Sequence, residues 1–117
     1  MAVVLEWRQV GQTIVIDLAG RLSITDGNIL RQTTRRLMIE GHRRFVLNLS
    51  QLETMDSSGI GQLVSTFSAV KTQGGDVKLV NPTMKVREAL KMTMLDRIFH
   101  IFLSEPEALH SLEAAAP

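Results

Sequence analysis

The stretch FVLNLSQLETMDSSGIGQLVSTFSAVKTQGGDVKLVN, residues 45–81, decides the fold. Residues 45–49 form a short apolar run bounded by charge and turn residues, which predicts a central parallel strand buried on both faces. Over residues 58–73 the apolar positions Ile60, Leu63, Val64, Phe67 and Val70 step by three and four, so this segment is an amphipathic helix ended by Gly74-Gly75. DVKLVN supplies the next short strand. At the hand-over from first strand to helix stands MDSSGIG, residues 55–61, with two adjacent hydroxyls, two glycines and almost no bulk.

Working outward, VVLEWRQVG and QTIVIDLAG both carry strand-type residues. Val4, Glu6 and Arg8 alternate against Val3, Leu5 and Trp7, and Gly11-Gln12 is the turn of a hairpin. In the next segment Leu30, Thr33, Leu37 and Met38 share one helical side and Arg31, Arg35 and Arg36 the other, with Gly41 as a left-handed stop. Beyond residue 80, Asn81 is expected to cap a helix that has Pro82 in its first position and runs to about Met92. Residues 98–103 suit a last strand, and Ser104 caps a short final helix, SEPEALHSLEAA, with Glu105, Pro106 and Glu107 in its first turn. The order β-β-α-β-α-β-α-β-α predicts an α/β fold: a mixed, mainly parallel sheet with about four helices, joined by right-handed crossovers.

At 117 residues and 44% hydrophobic content, residues 1–117 are read as a single domain able to bury a real core. There is no cysteine, and His42, His100 and His110 lie far apart without ligand spacing, so no metal and no cofactor is expected. Thirteen basic and twelve acidic residues give a net charge of +1, and aromatic content is 4%, which disfavours direct nucleic-acid binding. The amino terminus lacks a basic leader and no apolar run approaches membrane-spanning length, so the expected location is cytoplasmic, with no membrane partner. Arg31, Arg35, Arg36, His42, Arg43 and Arg44 read as the solvated face and end of a helix, with docking as the alternative. Met84, Met92 and Met94, flanked by Lys85, Arg87 and Lys91, are either core filling or a soft docking surface beside Ser57.

Functional groups gather where strands end and helices begin, because backbone N–H groups there are unpaired. A nucleophilic serine would need a base and an oxyanion hole, yet the G-x-S-x-G and S-x-x-K spacings are both absent, so no catalytic residue is expected. Gly59-x-Gly61 resembles a dinucleotide-binding turn, but Val64 occupies the third glycine position and no carboxylate ends the next strand. Asp56 with Ser57 or Ser58 suits a helix cap. Two glycines in a first turn, each costing about 1 kcal/mol relative to alanine, imply a close approach by the sheet or by a partner.

IVIDLAGRL, FVLNLSQLETMDSSGIGQL, KTQGGDVKLVN and VREALKMTML, in this order and spacing from about Thr13 to Leu109, resemble the STAS domain. The match is to the small free-standing bacterial members that act as anti-sigma factor antagonists. The resemblance implies a STAS-type fold and a partner-binding protein in transcription regulation, not an enzyme. It implies an anti-sigma factor partner that is also a serine kinase of the histidine-kinase-like ATPase fold. Ser57 would be the phosphorylated residue, partner switching would follow, and a PP2C-type phosphatase would restore binding. Asp56, Ser57, Ser58, Gly59, Ile60 and Gly61 are then the partner-binding turn. Ser23, Asp26, Met92 and Met94 are expected to extend it. Many family members place an acidic residue directly after GRL; this chain has SITDG, with Asp26 in the shifted position. The alternative within the same family is a non-phosphorylated structural subunit of a larger signalling or lipid-transport assembly.

Overall fold

The computed structural model describes residues 2–114, and the last residue expected in the final helix, Ala115, lies outside them. Strands β1 (Val4–Val10) and β2 (Thr13–Leu22) form the antiparallel hairpin, turning at Gly11 with Val10 opposite Thr13. Helix α1 (Ile29–Ile39) leads to β3 (Arg44–Met55), α2 (Ser57–Thr72) to β4 (Asp76–Val80), and α3 (Met84–Met92) to β5 (Ile101–Phe102). Helix α4 (Glu105–Ala114) follows, and 3-10 turns lie at Ile24–Asp26 and Leu95–Arg97. The sheet order is β1-β2-β3-β4-β5, with every pair after the first parallel.

Right-handed crossovers between sequential neighbours send successive helices to one face. Accordingly α1, α2 and α3 share a core with the sheet: Ile14, Ile16 and Leu18 of β2, Phe45, Leu47 and Leu49 of β3, and Leu79 of β4 meet Leu30, Leu37, Leu63, Val70, Val86 and Leu90. Helix α4 covers the lower part of the other face, where Val15, Val46 and Val80 meet Ala108 and Leu112. Arg8 ties α4 to the hairpin through Glu105 and Asp17, and hydrogen bonding first to Glu105, then to Asp17, raises its guanidinium pKa further above the ordinary value. A sheet whose strand order never reverses has no topological switch point, the crevice in which doubly wound sheets hold dinucleotides.

Both long helices end as their sequences predict. His42 N–H reaches Leu37 O and Gly41 N–H reaches Met38 O, with Gly41 at φ 105; Gly75 and Gly74 repeat the pattern on Val70 and Lys71. These are Schellman closures, and Arg43 adds a side-chain donor to Met38 O at 2.8 Å. Arg31, Arg35 and Arg36 project from α1 as an exposed face.

Four expectations are corrected. Strand β3 runs on past Leu49 to Met55, pairing with β2 alone beyond the end of β4 and accommodating register shifts after Asp17 and Gly20. Asn81 takes a positive φ of 48°, so Pro82 stays outside α3, and Thr83 is the cap, accepting from Val86 N–H. The Thr83 hydroxyl also donates to Leu52 O at 2.9 Å, fixing the start of α3 on the extended part of β3. The last strand is only Ile101–Phe102, not residues 98–103. Helix α2 buries Gly59, Gln62, Leu63, Thr66 and Val70, while Ile60 and Phe67 are half-buried and Val64 is exposed.

Candidate functional site: the start of helix α2

The extension of β3 delivers Asp56 to the end of the β2–β3 ladder, one residue after the Leu22–Met55 pair. Asp56 is extended, and its carboxylate accepts the Gly59 N–H at 2.9 Å, so it caps α2. Its own N–H reaches Leu22 O at 3.3 Å. Ser57 is therefore the first helical residue and Ser58 the second. Cap hydrogen bonding thus belongs to Asp56, and Ser58 takes no part in it. Among the described residues neither serine hydroxyl has a hydrogen-bond partner, and Ser57 is exposed. The N–H groups of the first helical residues face outward without an intrahelical acceptor, and the dipole there favours negative charge.

The two glycines have different causes. A Cβ on Gly59 would lie 2.0 Å from Leu22 O and 2.8 Å from Leu22 C, so α2 can sit this close to β2 only because residue 59 has no side chain. A Cβ on Gly61 would meet nothing within 4 Å. The close approach at Gly59 is to the sheet, and only Gly61 leaves open surface.

The loop after β2 closes over the same helix start. Gln62 Nε2 donates to Ser23 O at 3.3 Å, and the Ser23 and Thr25 hydroxyls are 2.8 Å apart. A groove of about 390 Å³ runs between this loop and Asp56, lined in part by Arg21, Ile24, Thr25 and Thr54. Ile24 is 75% exposed, a protruding apolar side chain next to the serine turn. Sequence reasoning missed it, because an isoleucine in a short loop carries no signal distinguishing core from surface. Asp26 is committed internally: one carboxylate oxygen accepts Val3 N–H at 3.0 Å and the other accepts Ser23 N–H. It staples the chain start to the loop.

Met84, Met92 and Met94 are all exposed, so they are not core filling. Helix α3 begins beside Leu52 and carries Met92 roughly 12 Å down its axis from Met84, away from the strand ends that hold Ser57. The segment after Met94 packs its Phe99 ring on Phe67, at 4.7 Å between centroids. Phe67 lies ten residues, roughly 15 Å, along α2 from Ser57. The structure thus brings together Ser23, Asp26 and the turn from Asp56 to Gly61, and holds Met92 and Met94 apart from them.

A mixed, mainly parallel sheet thus presents, at the end of its longest strand, a helix start capped by Asp56 with the Ser57 hydroxyl exposed. The STAS domain signature matches residues 4–108, and the chain belongs to the STAS domain family. An anti-sigma-B factor antagonist of Bacillus subtilis is 32% identical over 88 residues, covering 75% of this chain and 80% of its own. A Thermotoga neapolitana protein, provisionally named an anti-sigma factor antagonist, is 35% identical over 74 residues, 63% of this chain. The match spans 66% of that relative's length. The crystal structure of a protein with the same provisional name from Thermotoga maritima superposes with a TM-score of 0.87 at 25% identity, covering 93% of this chain and 94% of that one. No described helix is long and apolar enough to cross a membrane.

Proposed function

We propose that this protein is an anti-sigma factor antagonist, a regulatory binding protein without catalytic activity, whose unmodified form engages an anti-sigma factor through the start of α2. Phosphorylation of Ser57 switches it off. The partner is a serine kinase of the histidine-kinase-like ATPase fold, and a PP2C-type phosphatase resets the switch. The observation that carries this reading is the division of labour in one turn. Asp56 and Gly59 are consumed by the structure, whereas the Ser57 hydroxyl stands exposed at the first helical position with no internal role.

A phosphate on Ser57 adds nearly two negative charges beside Asp56. Free helix N–H groups and the dipole tolerate them, so the fold survives. A partner surface packed on this turn would have to desolvate the same dianion without cations of its own, and the complex is lost. The docking surface comprises Asp56, Ser57, Ser58, Ile60 and Gly61 with Ser23 and Ile24 of the facing loop. Incubation with the cognate kinase and ATP, followed by peptide mass spectrometry, tests the assignment. Phosphate on Ser57 and its absence from Ser57→Ala is the expected result, and phosphate confined to another residue contradicts it.

A second reading, a structural subunit of a larger assembly, draws on Met92, Met94, Ile98 and Leu103, which are 84%, 59%, 51% and 73% exposed and lie away from Ser57. Its mark would be a stoichiometric complex unchanged by ATP.

A further inference from the structure

Helices α1 and α2 do not close completely on one another. Between them lies a groove of about 420 Å³, within the range of small-ligand sites. Arg31, Arg35 and Gln32 of α1 stand on one side, Thr66 of α2 and Gln73 after it on the other, with Met38 part of the lining; no carboxylate lines it. Arg31 and Arg35 are four residues apart and so adjacent on the helix surface. Among the described residues neither forms an ion pair.

The second observation comes from beneath the arginines. Thr34, Thr72 and Thr93 each return their hydroxyl to the carbonyl four residues back, at 2.8, 2.7 and 2.7 Å. Thr66 does not: its residue is 1% exposed, and its Oγ1 is buried without a partner. One turn earlier, Gln62 spends Nε2 on Ser23 O and leaves Oε1 buried and unpartnered as well. Buried hydroxyls are ordinarily satisfied by protein or ordered water, so the orphan hydroxyl of Thr66, a residue that lines the groove, calls for a partner that an occupant of the groove can supply. Rotation about χ1 would turn the buried Thr66 hydroxyl toward the groove, where it can donate to an oxyanion whose remaining oxygens face the two guanidinium groups, the side chains best matched to phosphate and carboxylate geometry.

We propose that the α1–α2 groove is a binding site for a small oxyanion-bearing metabolite, a phosphate ester or a polycarboxylate, held by Arg31 and Arg35 at its mouth and by the Thr66 hydroxyl inside. The site lies nine residues, roughly 14 Å, along α2 from Ser57 and is independent of the partner-binding reading.

The test is a titration of the isotope-labelled full chain with inorganic phosphate, pyrophosphate and citrate at constant ionic strength, followed by amide chemical shifts. Saturable shifts centred on Thr66, Gln32 and Gln73 are expected from at least one probe below about 10 mM. The phosphate and citrate arms distinguish the two ligand sources. The double variant Arg31→Gln/Arg35→Gln, changed only at exposed positions, should weaken binding about tenfold or more with an unaltered melting curve. Thr66→Val, which keeps shape and removes the hydroxyl, should weaken it several-fold without loss of fold. Absence of saturation with all three probes overturns the proposal. So do shifts confined to the arginine amides that Thr66→Val leaves unchanged, since those report only counter-ions at a basic helix face.

Discussion

Alanine at the two glycines of the serine turn separates internal packing from partner access. In Gly59→Ala the new Cβ would start 2.0 Å from Leu22 O and 2.8 Å from Leu22 C, both backbone atoms of a strand whose side chain is fully buried. Relief requires α2 to retreat by about 1 Å or more, an overpacking strain of about 1–3 kcal/mol. That retreat stretches the 3.3 Å bond from Asp56 N–H to Leu22 O past hydrogen-bonding range, a further loss of about 1 kcal/mol. The better helix propensity of alanine returns about 1 kcal/mol. The net is a destabilisation of about 2 kcal/mol, equivalent to a fall in melting temperature of about 8 °C for a domain of this size. Gly61→Ala meets nothing within 4 Å and should gain about 0.5–1 kcal/mol, a rise of about 2–4 °C. Thermal unfolding followed by circular dichroism measures both. Equal melting temperatures for Gly59→Ala and the parent would refute the packing argument, as would a fall in Gly61→Ala. Binding inverts the order: Gly61→Ala adds a methyl to the open surface and should weaken the partner complex although it stabilises the fold.

Asp56→Ala removes the α2 cap and should cost about 1 kcal/mol in urea unfolding; an unchanged midpoint would mean that the carboxylate bond to Gly59 contributes nothing. Thr83→Ala loses both the α3 cap and the tie to Leu52 O, about 1–2 kcal/mol together, and amide exchange in α3 should accelerate before that in α2. Arg8→Gln breaks ion pairs to Glu105 and Asp17 whose arginine is 44% exposed, so its cost should stay under about 1 kcal/mol and fade in about 1 M salt. Because the folded state raises the Arg8 pKa above the unfolded value, its contribution is complete below the unfolded pKa and is lost only as pH climbs through strongly alkaline values. The difference between Arg8→Gln and the parent should therefore be flat from about pH 6 to 9 in thermal melts.

The succession of strands and helices along the chain was legible because the burial of the crossover helices is one-sided and repetitive: Leu30, Thr33, Leu37 and Met38 fall on one stripe, and the glycines at 41 and 74 mark the closures. The second half of β3 was not, since SQLETM lies beyond β4, pairs on one side only, and exposes Gln51 and Glu53. Register shifts against β2 disturb its alternation further. The buried face of α2 misled for a related reason. Close packing against β2 and α1 favours small and polar residues, so Gly59, Gln62 and Thr66 go inside while the larger Val64 is left out. At the site, residue types located the turn, but they could not say that Gly59 serves the sheet and Gly61 does not, nor that Asp26 is spent on the backbone of Val3 and Ser23. Met92 and Met94 were grouped with Ser57 on composition alone, and only the direction of α3 separates them.

The proposed switch rests on one hydroxyl, and the affinity of the cognate anti-sigma factor for unmodified and stoichiometrically Ser57-phosphorylated protein tests it most directly. Calorimetry should find tight binding of the unmodified form and a loss of about 100-fold or more on phosphorylation, the scale expected for burying an unpaired charge in an interface. Circular dichroism of the phosphorylated form should remain that of the folded domain. Equal affinities for the two forms would contradict the account.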